Sequence, residues 1–585
     1  MAATEAALRQ VRAPVGGAFL YSRQDAAEVL IPEALTDELR MFGESTATFV
    51  RREIAPVSEQ LEALDYELSR KLMVRAGELG LLGVEVGEEH GGLGMGRVAS
   101  AVVTEAIAEA GSFSVTFSAH AGIGTLPLVY FGTAEQQRRY LPRLTSGAWI
   151  AAYCLTEPGS GSDALAAKAR AVADGDTWLL TGTKMWISNA GFADLFTVFA
   201  QVDGDKFSAF LVERDTPGLS FGPEERKMGI KGSSTRMVVL DEARVPRENL
   251  LGEVGKGHLI AFGILNIGRF KLAIGAAGGS KQLLKLAQGY AKERRQFGSA
   301  IAEFGLIKEK IGTMAADCFG LESACYRLAG SLDAAAEGKS GAADQLGALN
   351  DYAVEYSFIK VLGSEILDRV VDEALQIYGG YGFSADYPIE LAYRNSRINR
   401  IFEGTNEINR KLTVDQLMKR TLRGQLALMG PAQAAVMGVP ARSAPGPAEL
   451  ADANLALANL KLATLQVAGL GAMAFMQALE HEQELIARVA DMVGLVYLAE
   501  SGLLRAERLL GDRRAGVAAA LARLYAFTAV DQARALATEA LRRIPGSKDS
   551  LPRLNAYLAE HGVDLIALRR EVAGAVYAAD GYPLS

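Results

Sequence analysis

Between residues 34 and 150, apolar side chains recur every three or four positions, as in LTDELRMFGESTATFVRREI and LSRKLMVRAGELGLLG. That spacing places them on one face of a helix. The glycine-dense EEHGGLGMG interrupts the block as a loop. From 151 to 255 the pattern shortens. TWLLTGTKMWISNA, LFTVFAQV, KFSAFLVE and TRMVVLDEARVP are β-branched and aromatic runs parted by Gly, Asp or Pro, which predicts an antiparallel sheet or small barrel. Helical spacing returns over 256–425, as in FGLIKEKIGTMAADCFGLESACYRLAGSL. MGPAQAAVMGVPARSAPGPA reads as a linker on its Pro, Gly and Ala content, which sets the linker at 426–448, and 449–585 is Ala-, Leu- and Arg-rich and helical again. The predicted class is α+β, mostly α, in blocks; this segregated order argues against a doubly wound nucleotide fold.

Composition narrows the function classes. The chain has 585 residues, 49% hydrophobic and 22% charged, with a net charge of -8 and no basic run, so nothing resembles a nucleic-acid footprint. Three cysteines without a CxxC pair suit a reducing compartment. The five histidines are scattered, with no HExxH, so no protein-built metal site is expected. The longest apolar stretch, Leu462–Leu479, is broken by Thr464, Gln466, Gln477 and glycines, which favours a core or interfacial helix over a lipid-spanning one. The amino terminus lacks the apolar core of a secretory signal, while a short organellar transit segment stays open. The expectation is a soluble or peripheral-membrane protein, cytoplasmic in a bacterium and on the mitochondrial matrix side in a eukaryote.

Several stretches carry polar chemistry. No GxxxxGK[ST] occurs, and GLGAMA at 469–474 lies inside a helical pattern, so the Rossmann reading fails. GSGSD lacks the nucleophile-elbow pattern. AYCLTEPGSGSD joins a strand end to a loop of small residues that exposes hydroxyls and main-chain N–H groups. GTKMWISNAG sets Trp186 beside Ser188, a flat wall next to a hydrogen-bonding group. In SRINRIFEGTNEINRKL, Glu403 and Glu407 stand four apart among arginines, which is the pattern of a helix-surface charge ladder. Gly404 and Thr405 instead put Glu403 at a junction between elements.

Taken in order, GLLGVEVGEEHGGLG, YFGTAEQQRRYLPRLTSG, YCLTEPGSGSD, KMWISNAG, RRQFG, LQIYGGYGF and RIFEGTNEI resemble the acyl-CoA dehydrogenase family over roughly residues 36–425. ILNIGRF, FGLIKEKI and the C-terminal extension are most similar to its very-long-chain branch. The resemblance implies an N-terminal helical domain, a middle β-domain and a C-terminal four-helix bundle. It also implies FAD as cofactor, acyl-CoA as substrate, an electron-transfer flavoprotein as acceptor and a homodimer.

Carried over residue by residue, the family pattern makes Glu403 the catalytic base. FAD contacts fall on Tyr153, Leu155, Thr156, Ser162, Trp186, Ile187, Ser188, Thr405 and Glu407. Arg294, Gln296, Phe297, Gln376, Gly379 and Gly380 would reach the FAD of a neighbouring subunit. Asn266 and Arg269 would hold the CoA portion, with Ser162, Phe402 and Gly404 at the acyl and thioester end. A branch acting on branched acyl groups places its base directly before the arginine matching Arg269. Here that residue is Gly268, which favours a straight chain. Small Ser114 and Ser118 on the 111–124 helix are consistent with a long one.

Other readings remain open to the same residues. An acyl-CoA oxidase would share the chemistry, and an assembly protein of this fold would use its C-terminal helices for binding. For 449–585, membrane contact stands beside simple packing that seals a dimer.

Overall fold

The computed structural model describes residues 10–339 and 341–584, and these divide into two compact units. One comprises residues 37–271 and 336–350, the other residues up to 36, 272–335 and 351 onward. The boundary falls within one long helix, Gly257–Glu293.

The first unit opens with helices α1 (Asp37–Phe49), α2 (Tyr66–Glu78), α3 (Arg97–Ile107) and α4 (Ala134–Thr145), in line with the apolar spacing of this block. A Thr133–Gln136 capping box starts α4, and the Gln136 amide donates to the carbonyls of Glu248 and Leu250 at 2.7 and 2.9 Å, tying helix to sheet. Strands follow as β1 (Ala151–Cys154), β2 (Arg170–Asp174), β3 (Thr177–Ser188), β4 (Leu195–Val202), β5 (Lys206–Glu213), β6 (Leu219–Glu224), β7 (Thr235–Pro246) and β8 (Leu250–Leu251). Their order is β6-β7-β3-β2-β4-β5-β8, with β1 also pairing β4.

The sheet is not wholly antiparallel as predicted. β4 pairs in parallel with both β1 and β2. LFTVFAQV is buried on both faces except at Gln201, and such a strand reads as a continuous apolar run that carries no sign of its neighbours' direction. The unit's core gathers Tyr140, Leu144, Tyr153, Phe199, Phe207 and Ile264.

The expected 111–124 helix is α-helical only over Ser112–Ser118 and widens to a π turn over Ala119–Gly124. His120 fixes that turn. Its Nε2 lies 3.0 Å from the Leu144 carbonyl, and its Nδ1 accepts the Ala151 N–H at 2.9 Å. Complete burial pulls its pKa down to about 4.

The second unit holds the remainder of α5 (Gly257–Glu293), with α6 (Gly305–Ala336), α7 (Ala353–Tyr378), α8 (Pro388–Ser396) and α9 (Asn406–Leu422). Beyond them come α10 (Met429–Met437), α11 (Ala451–Phe475), α12 (Gln483–Arg508), α13 (Ala515–Arg543) and α14 (Leu565–Ala579). Helix α10 corrects the linker reading of 426–448. Met and Ala are strong helix formers, and Pro431 sits in the first turn, where no intrahelical N–H bond is lost. Ala435 and Val436 are buried, and Tyr557 donates to the Ala435 carbonyl at 2.9 Å.

The extension packs directly on the bundle of its own unit. A Cβ on Gly494 of α12 would lie 2.6 Å from Leu362 Cδ1 of α7, so a larger residue there would require the Leu362 side chain to shift. Buried ion pairs cross the same surface. Arg327 of α6 meets Glu500 of α12 at 2.9 Å, and Arg505 of α12, its side chain fully buried, meets Glu322 of α6 at 2.5 Å. Such groups tolerate burial only because each is paired.

Among the described residues, two helical stretches would by length and composition alone suffice to cross a membrane, Gly257–Glu293 and Ala448–His481. Core helices of globular proteins pass the same test.

Candidate active site

Within the first unit, the loop after β1 is built around a buried ion pair. Glu157 lies 2.7 Å from Lys184 Nζ and also accepts the N–H groups of Lys168 and Ala169 at 2.6 and 3.0 Å. Burial works against the Glu157 carboxylate, but Lys184 and the two amides outweigh it and hold its pKa below the usual value. Lys184 also donates to the Leu155 carbonyl, and Met185 N–H to the Thr156 carbonyl at 2.8 Å. The loop is thereby pinned to β3 while Ser162 stays exposed and Thr156 half-exposed.

Trp186 lies on β3 where its register with β7 shifts between Lys184 and Ile187. It has φ +61° and an exposure of 55%. A bulge of this kind re-aims a side chain, and here it presents a flat indole face to solvent while Ile187 is buried and Ser188 half-buried. Tyr153 is placed differently from these. Its ring is in the core against Phe199, and its hydroxyl donates to the Ala261 carbonyl at 3.3 Å. Asn266 and Arg269 are both buried on α5, and Arg269 donates to Asn266 Oδ1 at 2.9 Å. Asn350, which the motifs did not single out, accepts from Asn266 Nδ2 at 3.2 Å and orients that amide.

Within the second unit, Arg295–Gln296 and Ser299–Ala300 form a small hairpin whose two turn residues, Phe297 and Gly298, both have positive φ. That conformation suits a two-residue hairpin turn and leaves Phe297 94% exposed at its tip. The Arg294 guanidinium stands 5.4 Å from the Tyr381 ring, so the RRQFG stretch meets the YGGYGF turn that holds Gly379 and Gly380. Gln376, Gly379 and Gly380 are exposed beside it.

The Glu403 turn of this unit is held by several side chains. Glu403 and Gly404 are consecutive left-handed residues, with φ of +58° and +82°. For glutamate this conformation costs roughly 1–2 kcal/mol and persists only where surroundings enforce it. Three side chains do so. Lys360, fully buried on α7, donates to the Gly404 carbonyl and to Asn406 Oδ1, each at 2.8 Å. Asn409 Nδ2 donates to the carbonyls of Glu403, Gly404 and Thr405 at 3.3, 2.8 and 3.1 Å. Thr405 caps α9 by accepting the Ile408 N–H at 3.4 Å.

The reversed chain takes Glu403 off the helix surface, so the charge-ladder reading fails for it. Phe402 and Glu403 are both half-buried. Glu407 is exposed one turn on, and its pKa is held below the usual range chiefly by its own main-chain N–H, aided by Thr405 and Arg410. The neighbouring arginines are structural: Arg400 meets Asp368 at 2.9 Å and Arg410 meets Glu365 at 2.8 Å.

Family models built for acyl-CoA dehydrogenases match the chain in four places. The N-terminal domain covers 36–148, the middle domain 152–243 and the C-terminal domain 255–418, and a further C-terminal domain model covers 459–551. This chain belongs to the acyl-CoA dehydrogenase family.

A probable acyl-CoA dehydrogenase of Bacillus subtilis is 45% identical over 97% of this chain and 98% of its own length. The very long-chain specific acyl-CoA dehydrogenase of Bos taurus is 39% identical over 63% of this chain and 58% of its own. The crystal structure of an acyl-CoA dehydrogenase complexed with FAD from Bacillus anthracis superposes with a TM-score of 0.94 at 42% identity, over 97% of this chain and all of that one.

Against this acyl-CoA dehydrogenase frame, the motifs missed the residues that hold the others in place. Lys360 is the single charge between Glu355 and Glu365 in an otherwise apolar and small-residue run, and that isolation was the available signal. Lys184 and Glu157 lay inside quoted motifs, yet nothing in spacing pairs them. Asn409 falls one helical turn beyond Asn406, where it reads as ordinary surface polarity. The cysteines are all buried, and burial pushes the Cys154 thiol up to about 12, which leaves it unsuited to nucleophilic work.

Proposed function

We propose that this chain dehydrogenates long-chain fatty acyl-CoA between the α and β carbons, forming trans-2-enoyl-CoA in fatty-acid β-oxidation, with Glu403 as base. The observation that carries the reading is a glutamate turned out of its helix on two left-handed residues and locked there by Lys360 and Asn409. A proton α to a thioester is weakly acidic, and a positioned carboxylate contributes about 10²–10⁴-fold to its removal. The main-chain N–H of Glu403 is the donor assigned to the thioester carbonyl, where it would stabilise charge as the proton leaves.

FAD is the cofactor in this reading, and when bound it accepts the hydride leaving the β carbon. The residues present fit such a group in kind. Trp186 offers an exposed flat face for a ring system, Thr156 and Ser162 offer hydroxyls on a pinned loop, and Arg294 offers a cation for the phosphate of a neighbouring subunit's FAD. The Bacillus anthracis relative is described as complexed with FAD, which supports the assignment. Asn266 and Arg269 are assigned to the CoA portion.

A long acyl chain is supported by the relatives named very long-chain specific and by the small, partly exposed Ser114 and Ser118. An electron-transfer flavoprotein is the proposed acceptor and a homodimer the proposed state. The nearly bare Phe297 is the kind of apolar tip that a second subunit would cover.

Anaerobic titration of the purified flavoprotein with butanoyl- through octadecanoyl-CoA tests cofactor, reaction and chain length together. Bleaching that strengthens with chain length, followed by slow reoxidation in air, is expected. Absence of bleaching with every thioester, or rapid peroxide formation in air, would contradict the proposal.

A further inference from the structure

The Glu403 turn does not end at Lys360. Asn406, which receives the Lys360 ammonium on Oδ1, donates through Nδ2 to Glu365 Oε1 at 3.1 Å. Ser364 holds the same amide, its hydroxyl accepting from Nδ2 at 3.0 Å. Glu365 in turn accepts from Arg410, whose Nη1 and Nη2 lie 2.8 and 2.9 Å from its two oxygens. The third side of that guanidinium is taken by α12, where Arg410 Nε donates to Asp491 Oδ1 at 2.7 Å. An unbroken chain of charged and amide groups therefore runs from the C-terminal extension to the carbonyl of Gly404.

We propose that Asp491, in the C-terminal extension, is a positioning residue for the Glu403 turn, acting through Arg410, Glu365, Asn406 and Lys360. The inference rests on the reading of Glu403 as the base. Guanidinium is planar and rigid, so the plane that Asp491 sets through Nε is the plane in which Nη1 and Nη2 meet Glu365. Both Glu365 oxygens are engaged by Arg410 and one also takes the Asn406 amide, so a rotation of Arg410 passes to Asn406. Asn406 lies three residues after Glu403, and its Oδ1 shares the Lys360 ammonium with the Gly404 carbonyl.

The participants are mostly shielded from water. Exposures of the Arg410, Asp491 and Glu365 side chains are 17, 17 and 26%, so solvent does not readily replace a lost partner. Burial raises the Asp491 pKa, while Arg410 opposes this and is itself held firmly charged by Glu365 and Asp491. On this account the extension does more than cover a surface. It sets the angle at which a residue many positions earlier is presented to substrate, and a misplacement of about 1 Å at a reacting group can cost about 10²-fold.

The test compares Asp491→Ala and Asp491→Asn in the full-length FAD-loaded protein, with Glu403→Gln as reference. Anaerobic single-turnover flavin reduction by hexadecanoyl-CoA is expected to slow about tenfold in the alanine variant and less in the asparagine variant, which keeps an acceptor for Arg410. Flavin content should stay unchanged in both. Hydrogen exchange of the same proteins, read by mass spectrometry, should show faster exchange over 401–409 as well as around 491.

A role limited to packing would lower the melting temperature and loosen only the 485–495 region, leaving the reduction rate of folded enzyme as in the wild type. That pattern would overturn the proposal, and Asp491→Leu, which is of similar size and offers Arg410 no acceptor, decides the matter if alanine fails to fold. A Glu403→Gln protein that still bleaches normally would instead sink the base assignment itself, whatever the Asp491 variants do.

Discussion

Lys360, buried on α7, donates its ammonium to the carbonyl oxygen of Gly404 at 2.8 Å, and so holds the residue directly after the proposed base. A lysine without water around it is stable here because the Gly404 carbonyl and Asn406 Oδ1 both accept from it. Replacing it with methionine keeps the volume and removes both donors. Lys360→Met is expected to lower stability by about 1–3 kcal/mol, since two hydrogen bonds from a charged donor are lost, although Asn409 and Ser364 still donate to the same two acceptors. Single-turnover flavin reduction of the folded protein should fall by at least about tenfold. Urea denaturation and stopped-flow absorbance check the two parts separately.

Gly404 has φ +82°, a region in which a Cβ crowds its own carbonyl. Gly404→Ala is expected to cost about 1–2 kcal/mol. The loss should appear as a lower denaturation midpoint at unchanged slope, because the extent of surface exposed on unfolding stays the same.

His120 supplies a pH dependence whose sign can be worked out. In the folded chain its pKa is lowered from 6.5 to about 4 by burial. Above pH 6.5 it is neutral in both states and adds no dependence. As pH falls from 6.5 toward 4, the unfolded chain binds a proton that the folded chain refuses, so stability is lost over that window by roughly 3 kcal/mol. Stability measured in urea at a series of pH values should show this acid limb, and His120→Gln should flatten it.

Trp186 is 55% exposed, so its truncation should cost the cofactor-free protein no more than about 0.5 kcal/mol. Retention of flavin is another matter. Trp186→Ala is expected to bind FAD about tenfold more weakly, the loss of one aromatic stacking partner. Fluorescence titration of apoprotein with FAD gives the comparison, and equal affinity would remove Trp186 from the cofactor site.

Arg505 joins the N-terminal segment to the extension through Glu33 and also reaches Glu322. Truncation to alanine leaves buried carboxylates without that cation and is expected to cost roughly 3–5 kcal/mol. Limited proteolysis should then cut within residues 10–36 before any other region, while the wild type resists.

What was legible in advance was local. The 3.6-residue spacing marked α1 to α4 and the long bundle helices, and the Glu403–Gly404–Thr405 junction could be read because a break between elements is written in adjacent residues. What escaped was set by partners far away in sequence. LFTVFAQV reveals that it is buried on both faces but not that β1 and β2 run parallel to it. The Pro and Gly of 426–448 outweighed its Met and Ala in the sequence reading, whereas packing against Tyr557 favours a helix. Lys360, Asn409 and Asn350 matter only through carbonyls and amides that folding brings to them. The left-handed strain at Glu403 has no sequence signature at all, since most glutamates never adopt it.

The central claim is that Glu403 removes the substrate proton. Glu403→Gln keeps size and shape while abolishing basicity, and the reconstituted protein can be mixed with hexadecanoyl-CoA without oxygen while the flavin band is followed. The account predicts full flavin content and thioester binding with no bleaching on the timescale of wild-type turnover. Bleaching of the glutamine variant at the wild-type rate would contradict it.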